Sequence, residues 1–271
     1  MELVIKRVER PRLNIREIWA YRELLYFLAW RDFKVRYKQT AIGASWAVLQ
    51  PVLTMIVFTI FFNKLLGVQS PGGNYPIFSF AGLIYWNFFA NAFPNSSNSL
   101  VSSQALVTKV YFPRIIVPFA STLVSVADFG FALLVLFGLM AFYGIAPNLL
   151  GVVLVIPMLL VAFLWSNGLG AFFATLNVKY RDVKVVLPFL VQTLLFLTPV
   201  IYPLSFIPDR LQLLTYVNPM AGVITCIRAE LVHQGTVSWI GVGISAAVAV
   251  AAAVGGTRYF VRSERRFADI I

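Results

Sequence analysis

Asp128 is the one carboxylate that lies well inside a long apolar run of this sequence. A carboxylate in hydrocarbon is costly, so it points either to a pathway or gating role or to a hydrogen-bonded pair between helices. An ion-coupled relay ordinarily needs more than one such group. Other reactive chemistry is scarce. With one His and one Cys in the chain, His233 and Cys226 can build neither a metal cluster nor an intrachain disulfide. No G-x-x-x-x-G-K-[ST] run is present to cradle nucleotide phosphates. The G-x-G of "NGLG", residues 167–170, follows no strand, and close helix packing accounts for its glycines. No catalytic group, metal or cofactor is therefore expected on this chain.

Neutral polar groups in apolar surroundings come next. Gln50 and Thr54 stand one helical turn apart, with Trp46 and Phe58 extending the line, and Gln192 and Phe196 repeat the pattern. Amides in hydrocarbon need partners, so these faces are expected to look into the protein. Rings mixed with amides and hydroxyls suit sugars, which offer apolar C–H faces and hydroxyl edges; ordinary helix packing explains the same residues. Ala246, Ala249 and Ala253 read more simply, as small residues that let two backbones approach.

A third set is "ALVTKVYFPRIIVPFA", residues 105–120, where Pro113, Pro118, Lys109 and Arg114 interrupt the apolar pattern. A helix through "NSLVSSQALVTKVY" would be capped by Ser or Asn and ended by Pro113. Leu100, Leu106, Val107 and Val110 give it an apolar side, and Lys109 and Arg114 are expected to be exposed. A short rigid helix can pass force from a docked partner into its neighbours, which a flexible loop cannot.

The elements that hold these groups follow from composition. The chain has 271 residues, 59% apolar and 12% charged, with mean hydropathy +0.81. A soluble domain carries roughly 25% charged residues, so this chain belongs in a bilayer. Spans need about 20 apolar residues, and six runs qualify, at 45–62, 77–93, 115–143, 149–176, 185–201 and 237–257. With the N-terminus inside, 19 of the 22 cations flank the cytoplasmic ends, leaving Lys64, Arg210 and Arg228 outside. That asymmetry predicts both termini in the cytoplasm. Cations so scattered build no groove for nucleic acid. The first residues lack the apolar core of a cleaved signal, so the first span is expected to direct insertion.

Residues 1–44 form a basic flank. Within it Tyr26, Trp30, Phe33 and Tyr37 share one side of a helix, with Arg22, Arg31, Lys34 and Lys38 largely elsewhere. Such a helix lies in the membrane interface; packing against cytoplasmic protein is compatible with that. Residues 202–235 are too broken by prolines to span and too apolar for a solvated loop. Two short helices around 209–216 and 219–231, in a re-entrant hairpin near the outer mouth, satisfy both constraints. The expected domain order is thus 1–44, a membrane domain over 45–257, and a basic cytoplasmic end at 258–271.

"LVTKVYFPRIIVP" closely resembles the loop of type-2 ABC-exporter permeases that carry bacterial surface polysaccharides such as O-antigen, capsule and wall teichoic acid. "RDFKVRYKQTAIGASWAVLQPVLTMIVFTIFF", "LNVKYRDVKVVLPFLVQTLLFLTPVIYPLS" and "RSERRFADII" are similar to the family's first span, its fourth-to-fifth-span junction and its C-terminal end. The resemblance covers nearly the whole chain. It implies an all-α integral membrane protein with six transmembrane helices, an N-terminal amphipathic interface helix, a cytoplasmic coupling helix and short outer gate helices. It implies pairing with a second copy of the chain and docking of two separate ABC ATPase subunits, which bind ATP and Mg. The cargo implied is a polyprenyl-diphosphate-linked glycan crossing the bacterial inner membrane. The coupling helix would cover about 99–111, with Ser99, Leu100, Ser103, Leu106, Val107, Lys109, Val110, Tyr111 and Arg114 at the ATPase. Arg31, Lys34, Arg36 and Lys38 would attract the diphosphate headgroup. Trp46, Gln50, Thr54, Phe58, Gln192 and Phe196 would line the path. Other readings are an ATP-driven exporter of drugs or small lipids, an ion-coupled transporter with Asp128 as carrier, and a glycosyltransferase. The last lacks the paired carboxylates such chemistry needs.

Overall fold

The computed structural model describes residues 15–38, 45–110, 112–180 and 182–264, so Tyr111 lies outside the described residues. Among those residues the chain is all helical, without strands. Helices α1 (Ile15–Ala20) and α2 (Arg22–Lys38) lead into α3 (Ser45–Phe58), which continues as a π-helical segment over Thr59–Leu65. There follow α4 (Tyr75–Ser102), α5 (Gln104–Lys109), α6 (Ile116–Phe142) and α7 (Leu149–Lys179). The chain ends in α8 (Val183–Leu197), α9 (Asp209–Thr215), α10 (Pro219–Glu230) and α11 (Trp239–Ser263).

Among the described residues, four stretches are long and apolar enough to cross a membrane: Ser45–Leu65, Ile116–Phe142, Leu149–Lys179 and Trp239–Ser263. They coincide with the first, third, fourth and sixth expected runs. The other two runs take different forms. α4 runs through 93 to Ser102 and carries Asn87, Asn91, Asn95 and Asn98, which dilute its hydropathy. It is the central helix, packed by α3, α6, α7 and α10, and a helix wrapped in protein can carry amides that lipid would not tolerate. α8 has 15 residues, about 22 Å of helix against roughly 30 Å of hydrocarbon. The chain then leaves helical geometry at Thr198, Pro199 and Val200, all buried.

The main core surrounds α4, with Phe80, Tyr85, Phe89 and Phe93 stacked along it. A second cluster lies at the α5 end, where Leu28, Leu100, Val107, Phe112, Ile116 and Phe260 converge. α7 and α11 touch backbone to backbone: a Cβ on Gly256 would stand 1.9 Å from the Gly168 carbonyl oxygen. The glycines of "NGLG" are thus packing residues, Gly168 against α11 and Gly170 against Ser96 of α4.

The expected helices of 202–235 are α9 and α10. Asn218 caps α10 by accepting from the Met220 amide at 3.1 Å, and every residue from Pro219 to Arg228 is buried. Two boundaries differ from expectation. α11 continues to Ser263, six residues past the end of the sixth expected run. The helix expected over 99–111 is two helices. Ser99 to Ser102 close α4, the chain bends at Ser103, and α5 is a separate six-residue turn.

Candidate functional site

An apolar cluster lies beneath the bend at Ser103. Leu100 on α4 and Val107 on α5 both belong to it, as their i, i+7 spacing on one helical face allows. Ser99 and Ser103 are buried with them. Outward go Gln104, Ala105, Thr108, Lys109 and Val110, with Leu106 half-buried. The candidate docking face is therefore this outer strip, and four of the expected contact residues support it from below.

Two ties flank α5 in the chain. The Arg31 guanidinium reaches the Ser103 hydroxyl at 3.5 Å, tying α2 to the bend. On the other side the Arg114 amide donates to Glu264 Oε1 at 2.9 Å, and the Arg114 guanidinium donates to the Glu264 carbonyl at 2.8 Å. Arg114 was expected at the surface; it is half-buried and clamps the end of α11.

A cavity of about 560 Å³ opens where the end of α2 meets the first turns of α3 and the middles of α4 and α6. Arg36 donates to Asp128 Oδ2 at 2.5 Å, and the Tyr37 hydroxyl bonds the other carboxylate oxygen. Of the two readings of the intramembrane acid, the paired one describes this geometry. Trp46 and Gln50 line the same cavity, joined by Asn87 and Asn91. Asn91 donates to the Asn87 carbonyl at 2.9 Å, whereas the buried Asn87 amide nitrogen has no hydrogen-bond partner. These two amides were missed, although 87, 91, 95 and 98 recur at helical spacing in plain view.

The remaining sequence candidates lie elsewhere. Thr54 bonds its own Gln50 carbonyl at 2.9 Å, and Phe58 packs edge-on against Phe62. Gln192 and Phe196 are exposed on α8, away from the cavity, so one chain does not join the two faces. Of the four headgroup cations, Arg36 is committed to Asp128, and Arg31 pairs with Asp32 at 2.8 Å. Lys34 sits over the Trp30 ring at 5.2 Å, and Lys38 is exposed. The aromatic stripe is real: Tyr26 and Trp30 stack at 6.4 Å, Trp30 and Phe33 at 5.6 Å. Tyr26 and Trp30 at its start are exposed, Tyr37 at its end turns in to Asp128, and Leu24, Leu25 and Leu28 pack on the protein.

In α10, Arg228 was counted among the three outer-side cations. It is 2% exposed. Its guanidinium donates to the Phe78 carbonyl at 2.8 Å and to the carbonyls of Pro199 and Val200, and it lies 3.6 Å from the Phe78 ring centre. Carbonyl dipoles and a π face replace a carboxylate. Gly82 makes room for it, since a Cβ there would meet the guanidinium at 2.4 Å. Arg228 thereby ties α10 to α4 and to the unwound end of α8.

The sequence resembles known transporters along most of its length. An ABC-2 type transporter family model matches residues 23–231. The O-antigen export system permease protein RfbA of Klebsiella pneumoniae is 28% identical over 92% of this chain and 95% of its own. Its Myxococcus xanthus counterpart is 31% identical, covering 79% and 82% of the two chains. The polysialic acid transport protein KpsM of Escherichia coli is 25% identical, covering 77% and 80%. A family match over most of the chain, on an all-helical membrane fold, leaves one assignment: this chain belongs to the ABC-2 type transporter family.

Proposed function

We propose that the chain is the membrane permease of an ATP-driven polysaccharide exporter. Relatives whose names specify O-antigen export and polysialic acid transport support the cargo class. The observation that carries the mechanism is α5, a short helix exposed on one face, seated on an apolar cluster by Val107 on the other, and flanked by ties at Ser103 and Arg114. A chain without a nucleotide pocket needs work delivered from outside, and such a helix is a rigid place to receive it. In this reading a separate ABC ATPase binds ATP and Mg and docks on Gln104, Ala105, Thr108, Lys109 and Val110.

Six helices then cross the inner membrane, α4 and α8 joining the four long apolar stretches named above, with both termini and α5 in the cytoplasm. α9 and α10 form the outer gate. A second copy covers the exposed faces of α3 and α8, bringing Trp46, Gln50, Thr54, Phe58, Gln192 and Phe196 around one path. The cargo is a polyprenyl-diphosphate-linked glycan, drawn to the inner leaflet by Arg31, Lys34 and Lys38. ATP-driven closure of the partner moves the coupling helices, and the spans switch between discrete packings.

The test is reconstitution of the chain with candidate ABC ATPases from the same genome, reading hydrolysis with and without lipid-linked glycan. Hydrolysis stimulated by the glycan-lipid, and abolished by Lys109→Glu with Ala105→Glu, is expected. Stimulation by small lipids or drugs alone would reassign the cargo; failure of any ATPase to bind would overturn the reading.

A further inference from the structure

α6 and α11 both pack on α7 and leave a groove between them. The groove has a volume of about 580 Å³ and is capped at one end by Ile18 and Leu25 of α1 and α2. Its walls are Phe119 and Leu123 on one side and Val254 on the other, with Phe163 of α7 among the residues that enclose it. Water in such a space finds almost no hydrogen-bond partner. The polar groups on its lining are Thr257 and Arg258, near the C-terminal end of α11. Arg258 is exposed at that end. Trp19 and Arg22 stand close by in the chain of the cap, the cation 5.9 Å from the ring centre, a pairing suited to a membrane–water boundary.

We infer that this groove is a binding site for an anionic phospholipid of the membrane leaflet at the α5 end, its acyl chain between α6 and α11 and its phosphate at Arg258. Two features commit the occupant. The walls belong to two helices apolar enough to cross a membrane, so the groove opens to acyl chains rather than to water. The charge is complementary: a cation marks the end where a headgroup would emerge, and basic pockets between membrane helices on this side take anionic headgroups. The site is separate from the cavity at Asp128, and it does not depend on the cargo.

Its structural consequence runs through α2. The headgroup end of the lipid meets the α1–α2 cap beside Arg258, so an occupied groove holds α2 against the bundle. The same helix bonds Ser103 at the start of α5 through Arg31. Lipid occupancy is thereby linked to the stiffness of the docking helix.

The test uses the full chain in vesicles of phosphatidylcholine with about one-third phosphatidylglycerol and a trace of phosphatidylglycerol carrying a photoreactive acyl chain. Labelled peptides are mapped by mass spectrometry. Adducts are expected on 119–123 and 253–257. Arg258→Gln should lower their yield about fivefold, the worth of one cation toward an anionic lipid, to the level given by photoreactive phosphatidylcholine. Leu123→Trp, which fills the groove, should abolish the adducts with either lipid, and Arg210→Gln on α9 should change nothing. Adducts spread evenly over α3 and α8, yields insensitive to both groove variants, or displacement of the label by polyprenyl phosphate but not by excess phosphatidylglycerol would each overturn the proposal. So would adducts that form only after residues 1–14 are deleted, because the chain's own N-terminus would then be the occupant.

Discussion

Removing the Asp128 carboxylate should release the end of α2, and the structure sets the size of the effect. Asp128 binds both Arg36 and Tyr37, and its side chain is 15% exposed against 34% for Arg36. Opposite charges about 4 Å apart attract by about 4 kcal/mol at an effective dielectric of 20. Arg36, one-third exposed, is partly screened and regains hydration when the pair breaks, which about halves the loss. Asp128→Ala should therefore cost about 2 kcal/mol of local stability. Hydrogen exchange reads this directly, because amides near the end of α2 exchange by local opening. At 1.36 kcal/mol per decade, amides of residues 34–38 should exchange about 30-fold faster. Asp128→Asn keeps acceptor oxygen but not charge, and should accelerate them about fivefold, roughly 1 kcal/mol. Combining Arg36→Met with Asp128→Leu should show a coupling of at least about 1 kcal/mol in the double-mutant cycle. Exchange altered less than twofold, or additive single variants, would refute the anchor. Transport separates the anchor from a carrier: with ATP supplied, Asp128→Asn should retain export, whereas an ion-relay acid would lose it.

Three further outcomes follow from other contacts. Arg228→Met leaves three buried carbonyls without their donor and should cost about 3–5 kcal/mol, seen as loss of the monodisperse peak on heating in detergent; a melting temperature within 1–2 °C of wild type would refute it. Gly256→Leu drives a side chain into the Gly168 carbonyl and should cost about 3 kcal/mol in the same assay, while Gly255→Ala, with nothing within 4 Å of its Cβ, should be harmless. Lys109→Cys on the outer strip should react with a thiol reagent and be protected by the ATPase, whereas Val107→Cys, at a position 2% exposed, should stay unreactive in both states.

Much of this arrangement could be read from residue order, and the misses have physical causes. Apolar runs locate helices well when lipid surrounds them, which is why the runs of α3, α6, α7 and α11 matched. α4 was cut short at 93 because it is judged by hydropathy, yet protein rather than lipid covers its end; Ser96, Ser97 and Ser99 are buried there. The bend at Ser103 has no local signal. Leu100 and Val107, on either side of it, share a patch completed by Leu28 and Phe260, residues far away in the chain, and their i, i+7 spacing reads as one uninterrupted helix. Arg228 looks like any loop cation until its acceptors are known, and those come from residues 28 to 150 positions distant. Asp128 was legible as a buried acid, but its partner was not, since Arg36 stood among cations assigned to the surface. Asn87 and Asn91 were legible and overlooked: amides at helical spacing in an apolar helix mark a polar lining.

The distribution of tight and loose contacts explains how one surface helix could work on the whole bundle. α5 continues from α4, meets α2 through Arg31, and lies beside the Arg114 loop that holds α11 through Glu264. α11 is in turn pressed against α7 at Gly168 and Gly256, and α2 is pinned to α6 at Asp128. A push on α5 therefore reaches α4, α6, α7 and α11 through short, stiff links. α3 and α8 are fixed differently. α8 touches α4 and α7 with few residues and exposes Val185, Phe189 and Phe196. α3 packs on α4 and α6 but exposes Trp46, Leu53 and Val57 on its other face. A frame that moves as one body beside a lightly held α8 would open a path by changing what lies between that helix and its neighbours, without bending any of them. Rigid frames transmit discrete switches, and packed cores resist continuous deformation. The stiffness is concentrated where force would enter and the looseness where cargo would pass, which is the division of labour that export through a helical bundle requires.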